Sequence, residues 1–327
     1  MGLINGHTPR RAGLMGRAAA RAPFEQAAVD FQEYTGLEIG GRQFQRLAAR
    51  IGLEVDDFLR TDHGRGREKP PRVYVLLDGT GAPLRKAELE GRRGKSPDGT
   101  AKTHEVKVAA LFTQHPKSGE KPWRDMDSTT YVATDERSGD FAGRVRGEFL
   151  RRFGNAPEVV VLGDAAAWID TIARQQFAGA IRIVDWNHGA ERLATLAELV
   201  APRNSPPWHQ LRKKWTGKLW QGKVEALARA VRSRLPARQA EEGEKQLAYF
   251  LNHREAMRYD VFRSKGYFIG SGVVEAACKT IVAQRFKASG MRWSVRGLKP
   301  VLSIRTALLS NRYMDFWTWR EARMTAA

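Results

Sequence analysis

The feature that most constrains this chain is a set of five short strand-like runs, interrupted by helical patterns in a fixed order. Val73-Tyr74-Val75-Leu76-Leu77 is continuously apolar and ends at Asp78-Gly79-Thr80. Residues 105–112 alternate before turning apolar, and residues 129–134 are β-branched and aromatic. The spacing of Val145, Phe149 and Leu150 predicts a helix from Phe141 to Phe153. Residues 157–162 read as a buried strand ending at Gly163-Asp164, and a short helix with Trp168, Ile169 and Ile172 follows. Residues 180–184 form the fifth run, which ends at Asp185. The order β-β-β-α-β-α-β predicts an α/β fold: a meander of three antiparallel strands, then crossover units that must be right-handed. It sets the first and fourth strands side by side.

Three of these strands are thus expected to end in an aspartate, at the sheet rim where α/β folds place their chemistry. Asp-Gly is also a plain turn signal, so one such case carries little. Asp78 and Asp164 together carry more, because neighbouring strands bring them together. Two converging carboxylates repel unless a cation lies between them, which points to a divalent metal.

The flanks read differently. Residues 1–22 are small and basic without periodicity, and are expected to be a flexible arm. A helix from Pro23 stops at Thr35-Gly36, and a second is expected from Gly40 to Arg50, with Phe44, Leu47 and Ile51 on its buried face. Its other face carries Arg42, Gln43, Gln45, Arg46 and Arg50, which suits a helix-turn-helix; an ordinary αα-hairpin with a solvated charged face fits equally well. Residues 61–72 read as a polar linker, and residues 196–265 as helical and strongly charged. From Gly266, two helices are predicted, Val273–Lys287 and Leu298–Arg312. The first carries Glu275 and Lys279 on an apolar stripe; Arg285, Lys287, Arg292 and Trp293 then interleave basic groups with an aromatic, as in a groove that tracks nucleic acid. The division is residues 1–70, 71–195, 196–265 and 266–327.

Charge names the class of partner. With 55 Lys and Arg against 36 Asp and Glu, the 327-residue chain carries a net charge of +19, which fits a polyanion such as nucleic acid or, less often, an anionic membrane surface. A hydrophobic fraction of 42% argues against a disordered protein. The single cysteine, Cys278, excludes an intramolecular disulfide and a cysteine zinc finger, and suggests a reducing compartment. No run of apolar residues is long enough to span a membrane, so a soluble, cytoplasmic protein is expected. Gly91-Arg92-Arg93-Gly94-Lys95-Ser96 lacks the first glycine of a phosphate-binding loop, with Leu89 in its place, and reads as a basic loop.

Four pieces, in order, resemble a known group: Leu77-Asp78-Gly79-Thr80, then Gly163-Asp164-Ala165-Ala166-Ala167-Trp168-Ile169, then Asp185-Trp186-Asn187-His188, then Gly270-Ser271-Gly272-Val273-Val274-Glu275-Ala276 running on through Arg285-Phe286-Lys287 to Trp293. The chain resembles bacterial insertion-sequence transposases of the DDE type, especially the ISKra group, over residues 20–320. The resemblance implies a ribonuclease H-like core with an all-α insertion at 196–265 and an N-terminal helical DNA-binding region. It implies Asp78, Asp164 and Glu275 as the catalytic acids, holding two Mg²⁺ ions with Mn²⁺ able to substitute. Trp168, Asp185 and His188 would support them. The expected DNA contacts are Arg42, Gln43, Arg46, Arg50, Lys279, Arg285, Lys287, Arg292 and Trp293. The expected partners are transposon ends and target DNA, with a homodimer or higher oligomer on DNA, and no membrane or small-molecule substrate. Ala165 departs from the usual glycine after the second acid. The alternatives are a non-catalytic DNA-binding derivative and a nuclease of the same core without strand transfer.

Overall fold

The computed structural model describes residues 3–62, 70–91, 101–115 and 122–325. The chain opens with three helices: α1 (Pro9–Arg21), α2 (Phe24–Thr35) and α3 (Gly41–Thr61). The first corrects the expected flexible arm. Thr8 caps it, Pro9 pre-sets its first turn, and it buries Ala12, Met15, Gly16, Ala19 and Ala20. That stripe has helical spacing, but side chains this small give a weak periodic signal. Helix α3 runs a further eleven residues past the expected end at Arg50, because Ile51, Val55 and Phe58 continue its buried face.

Next come β1 (Arg72–Pro83), the single turn α4 (Lys86–Leu89), β2 (Thr103–Thr113), β3 (Thr130–Thr134), α5 (Ser138–Phe153), β4 (Glu158–Gly163), α6 (Ala167–Gln176) and β5 (Ile181–Val184). The five strands form one mixed sheet in the order β3-β2-β1-β4-β5. β1, β2 and β3 pair antiparallel; β1, β4 and β5 pair parallel. Residues 92–96 of the basic loop and 63–69 of the expected linker lie outside the described residues.

A run of helices follows: α7 (Trp186–Glu198), α8 (Pro206–Trp220), α9 (Val224–Arg232), α10 (Ala240–Asn252) and α11 (Tyr259–Ser264). The last segment is α12 (Gly272–Ala277), a π-helical turn at Cys278–Ala283, α13 (Gln284–Phe286), α14 (Val295–Leu309) and α15 (Tyr313–Thr325).

Strand alternation divides the core by face. Val73, Val75, Leu77 and Val161 point to one side, onto Phe141, Val145 and Phe149 of α5 and Ile169 and Ile172 of α6. Tyr74, Leu76, Val160 and Leu162 point to the other, where one continuous apolar cluster takes in the C-terminal helices, α1–α3 and α7–α11. Helix α3 lies against α14, so the N-terminal helices share the core of the sheet. An ion cluster fixes this contact: Arg144 of α5 bonds Asp56 of α3 (2.8 Å) and Glu136 (2.7 Å), and Lys299 of α14 bonds Glu136 (2.9 Å). Those cations hold the Glu136 carboxyl down at about 2 despite its partial burial.

The tail aromatics are internal. Tyr313 and Phe316 are buried, Tyr313 donates to the Gly13 carbonyl, and Trp319 packs on Phe58. These rings cap the chain's own core, against α1 and α3.

Candidate functional site

The register of the parallel strands builds the site. β1 and β4 pair up to Leu77↔Gly163, and β4 and β5 up to Gly163↔Val184. The next residue along the chain from each is Asp78, Asp164 and Asp185, so three aspartates directly follow one row of paired residues across three adjacent strands. Glycine at 163 permits this close packing: a Cβ there would lie 2.5 Å from the Leu77 carbonyl oxygen.

One detail of the expected row is different. Strand β1 does not stop at Asp78 but runs on to Pro83, with Asp78 opposite Val108 of β2. The turn propensity of Asp78-Gly79 is overridden because β2 extends back to Thr103 and offers ladder partners up to Pro83. Only the side of β1 facing β4 is open beyond Leu77.

Asp78 is half-buried. Its Oδ1 accepts from the Gly79 N–H (2.7 Å) and its Oδ2 from the Cys278 Sγ (3.4 Å). Burial pushes its carboxyl pKa up, and the Asp164 charge adds to the shift. Burial and Asp78 in turn raise the Cys278 thiol well above its ordinary value. Asp164 turns back on its own loop and accepts from the Ala166 N–H (3.0 Å).

Asp185 is fully buried and plays a different part. As the N-cap of α7 it accepts from the His188 N–H (2.9 Å) and binds the His188 Nδ1 (2.7 Å) through Oδ2. Its Oδ1 accepts from the Ser271 N–H (2.6 Å), immediately before α12. This carboxylate therefore joins the end of β5 to the start of the helix that carries Glu275. These hydrogen bonds hold Asp185 below the usual carboxylate range. The Asp185 hydrogen bond lifts His188 to about 9, with Asp164 contributing, so His188 is an imidazolium at neutral pH with both ring N–H groups as donors.

Glu275 lies on α12, on the sheet face that Asp78 also faces. Its carboxylate accepts from Ser271 Oγ one turn earlier, and its charge is felt at Cys278. The structure thus brings Asp78, Asp164, Asp185, His188, Cys278 and Glu275 into one neighbourhood. It does not close Asp78, Asp164 and Glu275 on one point: among the described residues no three His, Cys, Asp or Glu side chains converge as a metal cage. As donors, two carboxylates on neighbouring strands suit one edge of a divalent cation site; the Asp78 pKa is raised mainly by burial, with the Asp164 charge adding to it. Ser271 engages one oxygen of Glu275 and leaves the other free to join them.

The other expected site residues divide. Arg42, Gln43, Arg46 and Arg50 are exposed on the N-terminal half of α3, and Arg50 pairs with Glu54 (3.4 Å). Lys279, Lys287 and Arg292 are exposed, and Lys287 reaches back to Thr80 Oγ1 of β1 (2.8 Å). Arg285 and Trp293 are corrections. Arg285 is 1% exposed, packs against the Phe24 and Trp293 rings, and donates to the Ala19 carbonyl (2.9 Å), one of the unpaired carbonyls in the last turn of α1. Neighbouring Arg305 does the same for Ala20 (2.8 Å) and for the carbonyls freed by the π-helical turn at Thr280 and Ile281. Burial and Arg305 push Arg285 down to about 10. Trp293 is buried against Phe24 and Phe286, and its indole N–H bonds the Phe286 carbonyl, so it offers no open ring to a base. Trp168 packs edge-on to Phe141 on the opposite sheet face, away from the carboxylates.

Sequence reasoning missed the roles of Ser271 and Cys278 as hydrogen-bond donors to two of the acids. Ser271 was findable in principle, since it precedes Glu275 by one helical turn; the Cys278 contact depends on the π-helical turn, which has no sequence mark. No protein-family model and no curated protein matches this chain.

Proposed function

We propose that this protein is a DNA transposase of the DDE type, built on a ribonuclease H-like core, that cleaves at transposon ends and joins them to target DNA. The observation that carries the reading is the aspartate row, with Asp78 beside Asp164 on the face that the Glu275 helix crosses. The strand order β3-β2-β1-β4-β5 and the net charge of +19 agree with it.

In this reading Asp78, Asp164 and Glu275 would hold Mg²⁺, Glu275 through the oxygen that Ser271 leaves free. When bound, the ions stabilise negative charge on the attacking and leaving oxygens of a phosphodiester. The residues around the acids have separate tasks. Asp185 fixes α12 against β5 and so sets the height of Glu275 above the sheet. His188 presents an imidazolium beside Asp164, where it can orient that carboxylate or hold a phosphate oxygen. Cys278 and the Gly79 N–H hold the two oxygens of Asp78. Arg42, Gln43, Arg46, Lys279, Lys287 and Arg292 are exposed and would bind phosphates in this reading, and a dimer on DNA would bring two such sites together. No helix among the described residues is long and apolar enough to cross a membrane.

A second reading, a DNA-binding derivative without catalysis, is favoured by one observation: Glu275 is engaged by Ser271 and the three acids stand apart. One assay separates the two. Duplexes ending in the inverted repeats that flank the gene are incubated with a target plasmid and Mg²⁺. Joining by the wild type is expected, with loss of cleavage and joining in Asp78→Asn, Asp164→Asn and Glu275→Gln at unchanged melting temperature and end binding. Binding without cleavage by the wild type would establish the second reading. Near-normal joining by folded Glu275→Gln would remove that residue from the active site.

A further inference from the structure

Helix α8, in the all-α segment, carries His209, Arg212, Lys213, Lys214 and Lys218 and no acid. Its apolar stripe of Trp208, Trp215 and Leu219 is buried toward α7 and α9. Lys213 and Lys214 are exposed on the other side, with Lys218 half-buried and Lys223 exposed just beyond. Among the described residues, none of these four lysines has an ion pair or side-chain hydrogen bond. This sets them apart from the arginines of α3 and α5, several of which are neutralised by acids of the chain itself.

The same face contains Gly217, three and four residues beyond Lys214 and Lys213 and so beside them on the helix. Nothing lies within 4 Å of where its Cβ would be. A glycine inside a helix weakens it relative to alanine, and no packing contact here requires one. What it does is leave the helix backbone bare between lysines, open to close approach by another chain's backbone.

Position supplies the rest. At its C-terminal end α8 presents Trp220, whose ring meets Trp186 edge-on at 4.8 Å. Trp186 directly follows Asp185 and opens α7, so this end of α8 packs beside the end of β5, from which Asp185 continues. Arg263 lies over the Trp220 ring at 3.7 Å and bonds its carbonyl at 3.1 Å, which fixes that end. From there the 15-residue helix extends for about 22 Å, roughly the length of six base pairs.

We propose that the exposed face of α8 tracks the phosphate backbone of duplex DNA leading out of the Asp78–Asp164 site. Lys213, Lys214 and Lys218 are the phosphate contacts, and Gly217 is the point of closest approach. The choice of DNA as the occupant rests on the proposed transposase function and on charge complementarity.

The test uses the full chain and a random-sequence duplex, with affinity measured against salt. A Lys213→Gln/Lys214→Gln/Lys218→Gln variant should lose about 2.7 from the log–log slope, near 0.9 for each phosphate released. Gly217→Gln should raise the melting temperature, since glutamine is the better helix former, yet weaken DNA binding. An unchanged slope in the triple variant, or wild-type binding by Gly217→Gln, overturns the proposal. So does a wild type whose DNA binding does not depend on salt. The two readings fail separately. An unchanged slope beside Mg²⁺-dependent cleavage removes α8 alone. A lost slope beside a wild type that never cleaves supports α8 and removes the catalytic reading.

Discussion

Asp185→Asn is nearly isosteric and so changes hydrogen bonding and charge without opening a cavity. The native carboxylate accepts three hydrogen bonds: from the His188 N–H, the His188 ring and the Ser271 N–H. An asparagine oxygen can keep the Ser271 bond, but its NH₂ group then faces the His188 N–H, which also donates. The N-cap bond is lost, at about 1 kcal/mol, together with a charge-assisted bond to a partly exposed ring, which solvent screening holds to about 1 kcal/mol. A loss of roughly 1–2 kcal/mol is expected by denaturant unfolding. The His188 pKa, followed by NMR, should fall from about 9 toward the ordinary 6.5. The pH dependence follows with a definite sign. His188 has a raised folded pKa, so the stability it contributes is fully present below about 6.5 and is lost as pH rises through about 9. The wild type should weaken across that window and the variant should not. Because the His188 side chain is 41% exposed, solvent screening keeps the amplitude small. An Asp185→Asn protein as stable as the wild type, with His188 still titrating near 9, would refute the role given to this carboxylate.

Two further expectations concern the N-terminal helices. Glu136 has a depressed folded pKa, so its contribution is present above about 4.5 and is lost as pH falls through about 2; Glu136→Gln should flatten that part of an acid unfolding curve, and an identical acid limb would show that its ion cluster adds nothing. Arg285→Met should leave the salt slope of DNA binding as it is in the wild type, whereas Arg46→Gln should reduce it by about 0.9; a reduction of that size in folded Arg285→Met would return Arg285 to the DNA surface.

The sheet was legible in the sequence because each strand is a local pattern. The run 73–77 and the alternation at 105–112 each fix a strand without outside information, and topological rules then arrange them. The boundary at Asp78 was not legible, because a strand ends where its partners end, and β2 supplies partners to Pro83. Helix α1 was missed for a different reason. Its capping threonine and its proline are start signals, but a stripe of alanine and glycine buries too little apolar area to stand out from an unstructured tail.

Arg285 and Trp293 show where composition misleads about a site. A basic residue near an aromatic can serve nucleic acid or serve the chain's own carbonyls, and sequence does not distinguish them. Here α1 ends against the π-helical turn, and two sets of unpaired carbonyls meet in the core. Buried carbonyls without donors are costly, and a guanidinium with several fixed donors satisfies more than one at a time. Arg285 and Arg305 are therefore drawn inward by backbone geometry that local sequence does not encode. Surface lysines have no such demand on them. The same physical test, whether the chain itself supplies a partner, takes Arg285 out of the expected DNA surface and leaves Lys213 and Lys214 of α8 as candidates for it.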